Sequence, residues 1–149
     1  MTLHYPELPE GITSFGATVC DGAAYLYGGH CGRAHEYYQA GQSNQLRSIA
    51  LDQPDAWEEL PPGPRLQGLA LVSHASQLYR IGGFAARNQQ GEPNDLWSVT
   101  DCARFDLATG QWEALPALPT PRSSHDAIVV GDQLYVVGGW TLAGEEESS

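Results

Sequence analysis

The chain has 149 residues, 42% hydrophobic and 17% charged, enough for one ordinary core and too apolar for a disordered segment. Acidic residues outnumber basic ones 18 to 7, a formal charge of −11. That balance excludes the Lys/Arg-rich surface that nucleic-acid backbones and anionic membranes demand.

In chain order, Met1–Glu7 carries neither a basic n-region nor an apolar h-region, and no apolar run reaches the length of a membrane span. Three cysteines, Cys20, Cys31 and Cys102, do not make a disulfide framework, so the expected compartment is the cytoplasm. Tyr5-Pro6-Glu7-Leu8-Pro9 shares an aromatic-x-x-Leu-Pro pattern with Trp57–Pro61 and Trp112–Pro116. Phe15–Asp21 and Ala23–Gly29 are strands joined by Asp21-Gly22, a strong hairpin signal. His30–Ser43 reads as a long polar loop, Gln45–Leu51 as a third strand and Trp57–Leu60 as a fourth, stopped by Pro61-Pro62-Gly63-Pro64. The cycle restarts with strands over 68–73 and 77–83, a polar loop over 85–93, and a third strand over 96–106 that is irregular near Thr100-Asp101. A fourth strand spans 111–115. Strands over 126–130 and 133–139 begin a third cycle, with a loop expected after Gly139.

The organising signal is a strand ending in two glycines, present three times at Gly28-Gly29, Gly82-Gly83 and Gly138-Gly139. The pairs lie 54 and 56 residues apart, a repeat length that points to a propeller of four-stranded blades. Tyr79, Tyr135, Trp57 and Trp112 are the rings expected to fill the space between blades.

These residues resemble the kelch repeats. The pattern runs from Arg122-Ser123-Ser124-His125 through Leu134-Tyr135-Val136-Val137-Gly138-Gly139. In the preceding repeat it runs from Arg65 through Tyr79, Gly82-Gly83 and Phe105-Asp106 to Trp112, Leu115 and Pro116. The resemblance implies an all-β, partial kelch-type β-propeller. Residues 1–10 form an outer strand of a closing blade, 11–63 and 64–119 two four-stranded blades, and 120–149 the first half of a blade, truncated. Kelch rings close with roughly six blades.

Several residues invite a chemical reading. His30, Cys31 and His35 are ligand types, but no second pair follows at zinc-site spacing, so no metal and no cofactor is expected. Ser124-His125-Asp126 has the letters of a triad, yet alternation along a strand puts His125 on the opposite side from its neighbours, so no catalytic residue is assigned. Arg65 and Arg122 open equivalent strands. Either each holds a backbone carbonyl or carboxylate of an adjacent blade, or together they rim one mouth of the channel and hold an anion. Arg33, Tyr37, Tyr38, Arg87 and Asn88 lie in the loops after the glycine pairs and are the expected exposed contacts. The favoured function is a non-enzymatic scaffold binding a protein partner or a small anionic or sugar ligand, with neither nucleic acid nor membrane as partner. Open propeller edges offer a route to self-association. The alternative implied by the resemblance is a sugar-active enzyme of the galactose-oxidase-like or sialic-acid-isomerising type.

Overall fold

The computed structural model describes residues 2–148, with side chains assigned through residue 145. Strand β1 (Gly16–Cys20) turns at Asp21-Gly22 into β2 (Ala23–Tyr27), followed by β3 (Leu46–Ala50) and β4 (Glu58–Leu60). Asp21 and Gly22 both take positive φ, 48° and 79°, as the two-residue hairpin requires. These four strands form one antiparallel sheet in sequence order, blade one.

Blade two begins with β5 (Ala70–His74) and β6 (Gln77–Ile81). The chain continues through β7 (Phe84–Ala86) and β8 (Leu96–Ser98) before returning in β9 (Cys102–Asp106) and β10 (Gln111–Ala114). Its sheet has the order β10-β9-β6-β5. The turn between β5 and β6 uses Ala75 and Ser76 at φ 48° and 58°, with no glycine to relieve either. A half blade follows, β11 (Asp126–Val130) paired only with β12 (Gln133–Val137). The loop expected after Gly139 is instead two further strands, β13 (Thr141–Gly144) and β14 (Glu146–Ser148).

The break at Val99–Asp101, legible as an irregularity in the sequence, separates β8 from β9. It lets the lower half of the blade-two hairpin turn away and form a second sheet, β14-β13-β8-β7. There β13 of the half blade pairs with β8 of blade two, Ala143 opposite Trp97 and Gly144 opposite Leu96. Periodicity could not announce β7 and β13. Each is only three or four residues long, and β13 takes its partner β8 from a distant part of the chain.

Residues 2–10, expected as an outer strand, make no ladder. They lie on blade one, held where Trp57 Nε1 donates to the Pro6 carbonyl (3.0 Å), Tyr5 Oη to the Leu51 carbonyl (3.0 Å) and Arg47 Nη2 to Glu10 Oε1 (2.7 Å).

The blades stack face to face. One core, between blades one and two, gathers Tyr25, Tyr27, Leu46, Leu66, Leu69, Leu71, Leu78 and Phe105. A second, between blade two and the half blade, gathers Ala70, Ile81 and Cys102 with Val72, Tyr79, Leu134 and Val136. In the first, Arg80 lies 5.3 Å from the Tyr27 ring and 5.4 Å from that of Trp112, its Nη2 on Asp101 Oδ2 at 2.6 Å. Trp112 Nε1 donates to the Pro61 carbonyl (2.8 Å), repeating the bond from Trp57 to Pro6. Burial pushes the Tyr27 phenol up to about 12, the neighbouring Arg80 opposing it in part.

The glycine pairs have a geometric cause. A Cβ on Gly28 would collide with the Leu66 carbonyl, and one on Gly82 would sit 2.6 Å from that of Arg122. The first glycine of a pair therefore meets the opening segment of the next blade. The second meets its own: Thr13 O at 2.7 Å from a Cβ on Gly29, Ser123 O at 2.6 Å on Gly139. The N–H groups of Gly29 and Gly83 donate across to Leu66 and Arg122 (2.9 and 2.8 Å). A second ladder follows from a left-handed residue before each inner strand, Ser14, Gly68 and Ser124, at φ 55°, 61° and 52°. The Gly68 N–H donates to the Ser14 carbonyl and the Ser124 N–H to the Gly68 carbonyl (2.8 and 2.7 Å).

Candidate functional site

Beneath the glycine pairs, the loops of blades one and two meet in a single layer. Its anchor is Gln42, fully buried at 0% exposure. The Gln42 Nε2 donates to Gln67 Oε1 (3.0 Å) and to the Phe84 carbonyl (3.3 Å), and Gln42 Oε1 accepts from the Ala86 N–H (2.8 Å). The side-chain amide thus supplies hydrogen bonds that a neighbouring strand would give β7. One repeat on, Ser98 Oγ lies 2.7 Å from Ser123 Oγ and accepts from the Leu142 N–H (2.9 Å). Gln42 with Gln67 and Ser98 with Ser123 are the same device at successive junctions. No sequence signal exposed it, because an amide pair and a hydroxyl pair share no pattern.

The two loops are then tied to each other. The Gln39 N–H donates to the Asn88 carbonyl (3.0 Å) and Gln39 Nε2 to the Arg87 carbonyl (2.6 Å). Asn88, expected as an exposed contact, is 5% exposed. Its Nδ2 donates to the Tyr37 carbonyl (2.7 Å) and its Oδ1 accepts from the Asp95 N–H (3.0 Å). Its amide is spent on holding the loops together, which corrects that expectation. Tyr37 packs its ring against Phe84 (6.2 Å) and His30 (5.5 Å), and His30 Nε2 meets the Glu36 carbonyl at 2.8 Å. Arg87 is exposed, and its guanidinium lies 4.5 Å from the Trp97 ring centroid.

Between these loops opens a cleft of about 450 Å³, lined by Arg33, His35, Glu36, Tyr37, Tyr38, Gln90, Glu92 and Asn94. It combines a guanidinium, an imidazole, phenols, amides and two carboxylates. Polar and aromatic groups of this kind suit orientation-specific hydrogen bonding, and Tyr and Arg are enriched where interfaces carry their binding energy. Of the expected contacts, Arg33, Tyr37 and Tyr38 gather here, while Arg87 stands beside the cleft.

Arg65 and Arg122 form no ring. Arg65 Nη1 donates to the Gln42 carbonyl (2.6 Å) and Arg122 Nη1 to that of Gly138 (2.7 Å). They are not register equivalents either, since the carbonyl that meets the glycine pair belongs to Leu66 in one repeat and to Arg122 in the next. His125 occupies the position of Leu69. Both its ring nitrogens are buried without a hydrogen-bond partner, and desolvation pulls its pKa down. Asp126 Oδ1 accepts its neighbour's N–H, from Ala127, and makes no bond to His125. Among the described residues no three His, Cys, Asp or Glu side chains converge as a metal site, and no helix is long and apolar enough to cross a membrane. The three cysteines are free thiols.

Blades packed face to face, innermost strands side by side and loops gathered at one end define a segment of a β-propeller. No family model matches the chain. It is 29% identical over 141 residues to human Kelch domain-containing protein 8B, covering 91% of this chain and 37% of that protein. Kelch-like protein terF of Aspergillus terreus is 26% identical over 136 residues, 89% of this chain and 28% of its own length. Human Kelch-like protein 30 is 30% identical over 117 residues, 74% of this chain and 19% of its own. The solved structure of YjhT superimposes with a TM-score of 0.72 at 18% identity, covering 92% of this chain and 37% of YjhT. The chain belongs to the kelch-repeat family, and it spans less than two-fifths of the length of each of these relatives.

Proposed function

We propose that this chain is a binding scaffold whose recognition surface is the loop layer beneath the glycine pairs, centred on the cleft lined by Arg33, His35, Tyr37, Tyr38, Glu92 and Asn94. The observation that carries this reading is the cross-bracing of the two loops. Gln39, Gln42 and Asn88 use their side-chain amides to fix loops of two different blades relative to one another, the Gln42 bonds lying fully buried. A surface already ordered loses less entropy when a partner docks. The partner chemistry is a protein surface offering acceptors to Arg33 and the tyrosine hydroxyls, against the strongly acidic remainder of the chain.

The test is capture of binding partners on the immobilised chain, identified by mass spectrometry and compared across variants. Arg33→Ala and Tyr38→Ala are expected to lose a partner that Asp52→Ala, on the outer side of blade one, retains. Retention of every partner by both loop variants would remove the cleft from recognition.

A further inference from the structure

The large hydrophobic side chains left exposed are confined to the two ends of the stack. Leu3, Tyr5, Phe15 and Val19 belong to blade one and the segment before it. Ile128, Val130, Tyr135, Val137 and Trp140 belong to the half blade and its continuation. Nothing comparable is exposed between them among the described residues. The half blade's open face repeats one already used twice. Val137 stands where Tyr27 and Ile81 stand in the earlier blades. Those two are 0% and 3% exposed under the following blade, whereas Val137 is 65% exposed. At the other end, Val19 stands where Ser73 does in blade two, and Ser73 Oγ donates back to the Val19 carbonyl (2.8 Å). Blade one thus presents the kind of back face that blade two buries.

The backbone repeats the same complementarity. At each internal junction the second glycine donates forward, and the left-handed residue's carbonyl accepts from the next blade. At the free ends, the Gly139 N–H and Ser124 carbonyl on one side, and the Ile12 carbonyl and Ser14 N–H on the other, take no backbone partner among the described residues. A donor and an acceptor stand opposite an acceptor and a donor.

We propose that two copies of this chain associate head to tail, the half blade of each packing on the back face of the other's blade one. The contact continues the interface between the chain's own blades. Gly139 N–H would meet the second copy's Ile12 carbonyl, and the second copy's Ser14 N–H would meet the Ser124 carbonyl. Three inner strands from each copy give six around one axis, within the range of about four to eight blades that close a propeller. A head-to-tail contact that returns on itself after two copies closes as a ring rather than growing as a filament.

Light scattering coupled to size exclusion tests this with two variants, Val19→Asp at one end and Val137→Asp at the other. Both side chains are more than half exposed, so folding is expected to survive, with circular dichroism as the check. The unmodified chain is expected at twice its 16.1 kDa mass and each variant alone as a monomer. An equimolar mixture of the two variants is expected to regain a dimer, because it restores one unmodified head-to-tail contact. A monomeric unmodified chain at about 100 μM, well above the dissociation constant of a standard-size interface, overturns the proposal and leaves the face to a blade from another polypeptide segment. A Val19→Asp variant that stays dimeric overturns it in favour of two half blades meeting face to face.

Discussion

At the scale of single residues, two positions separate local strain from packing. Gly82 and Gly138 occupy the same place in successive repeats with similar backbone, φ 58° and 76°. A Cβ on Gly82 would meet the Arg122 carbonyl and the His125 ring, whereas nothing lies within 4 Å of one on Gly138. Both Ala variants pay about 1–2 kcal/mol for left-handed backbone. In the monomeric Val19→Asp background, where no second copy covers Gly138, Gly82→Ala is expected to cost roughly 1–3 kcal/mol more, from overpacking against a carbonyl that cannot move without its blade. Equal denaturant midpoints for the two would show that φ alone selects the glycines.

His125 supplies the second case. Around it lie Gly82 of the preceding blade, Gly139 of its own, and the charged Arg122 and Asp126. Burial lowers its folded pKa below the unfolded value of 6.5, so the unfolded chain binds the proton more readily. Its contribution is intact above that value and is lost progressively as pH falls from there through the lower folded pKa. His125→Leu, the residue found at the equivalent Leu69, is expected to shrink the loss of stability between pH 7.5 and 5. An unchanged slope of stability with pH would clear this imidazole.

At the scale of elements, stability is concentrated in the junctions between blades. Trp112 on β10 reaches back to Tyr27 (5.5 Å), packs on Phe105 (5.1 Å) and bonds the Pro61 carbonyl. Trp112→Ala is expected to cost roughly 3–5 kcal/mol, read as a lowered denaturant midpoint. Gln42 acts differently, since its loss buries no new void of that size but orphans polar groups. Gln42→Ala leaves the Ala86 N–H and Gln67 Oε1 unpaired inside the protein. A loss of about 1–3 kcal/mol per orphaned group is expected. Amide hydrogen exchange should show that loss first at Ala86, ahead of the strands of blade one.

At the scale of the whole molecule, contacts run from each blade only to its neighbours, as in other repeat architectures. Such a stack has two distinct ends, and here both are apolar. The head-to-tail association proposed for these ends would link folding to concentration. The thermal midpoint is therefore expected to rise by about 1–3 °C for each tenfold increase in protein. A midpoint independent of concentration would mean that the open half blade is stable on its own.

How much of this was legible in the sequence follows from the range of each interaction. The strands of both blades, the Asp21-Gly22 turn and the break near Thr100-Asp101 are local, and they appear within a residue or two of where turn chemistry and alternation put them. The loops around Arg33, Tyr37 and Tyr38 were legible as loops, but not as one cleft. Their meeting depends on Asn88 and Gln39, whose partners lie about 50 residues away along the chain. The strand pairing of β13 with β8 was invisible for the same reason, and so was the polar device shared by Gln42 and Ser98. By itself the sequence determined the repeat, and with it the four-stranded blade, because paired glycines and strand periodicity are short-range facts. Only the tertiary structure decided which glycine faces which blade, which arginines are spent on backbone carbonyls, and which apolar faces remain open. Each of those depends on what the neighbouring repeat places opposite it.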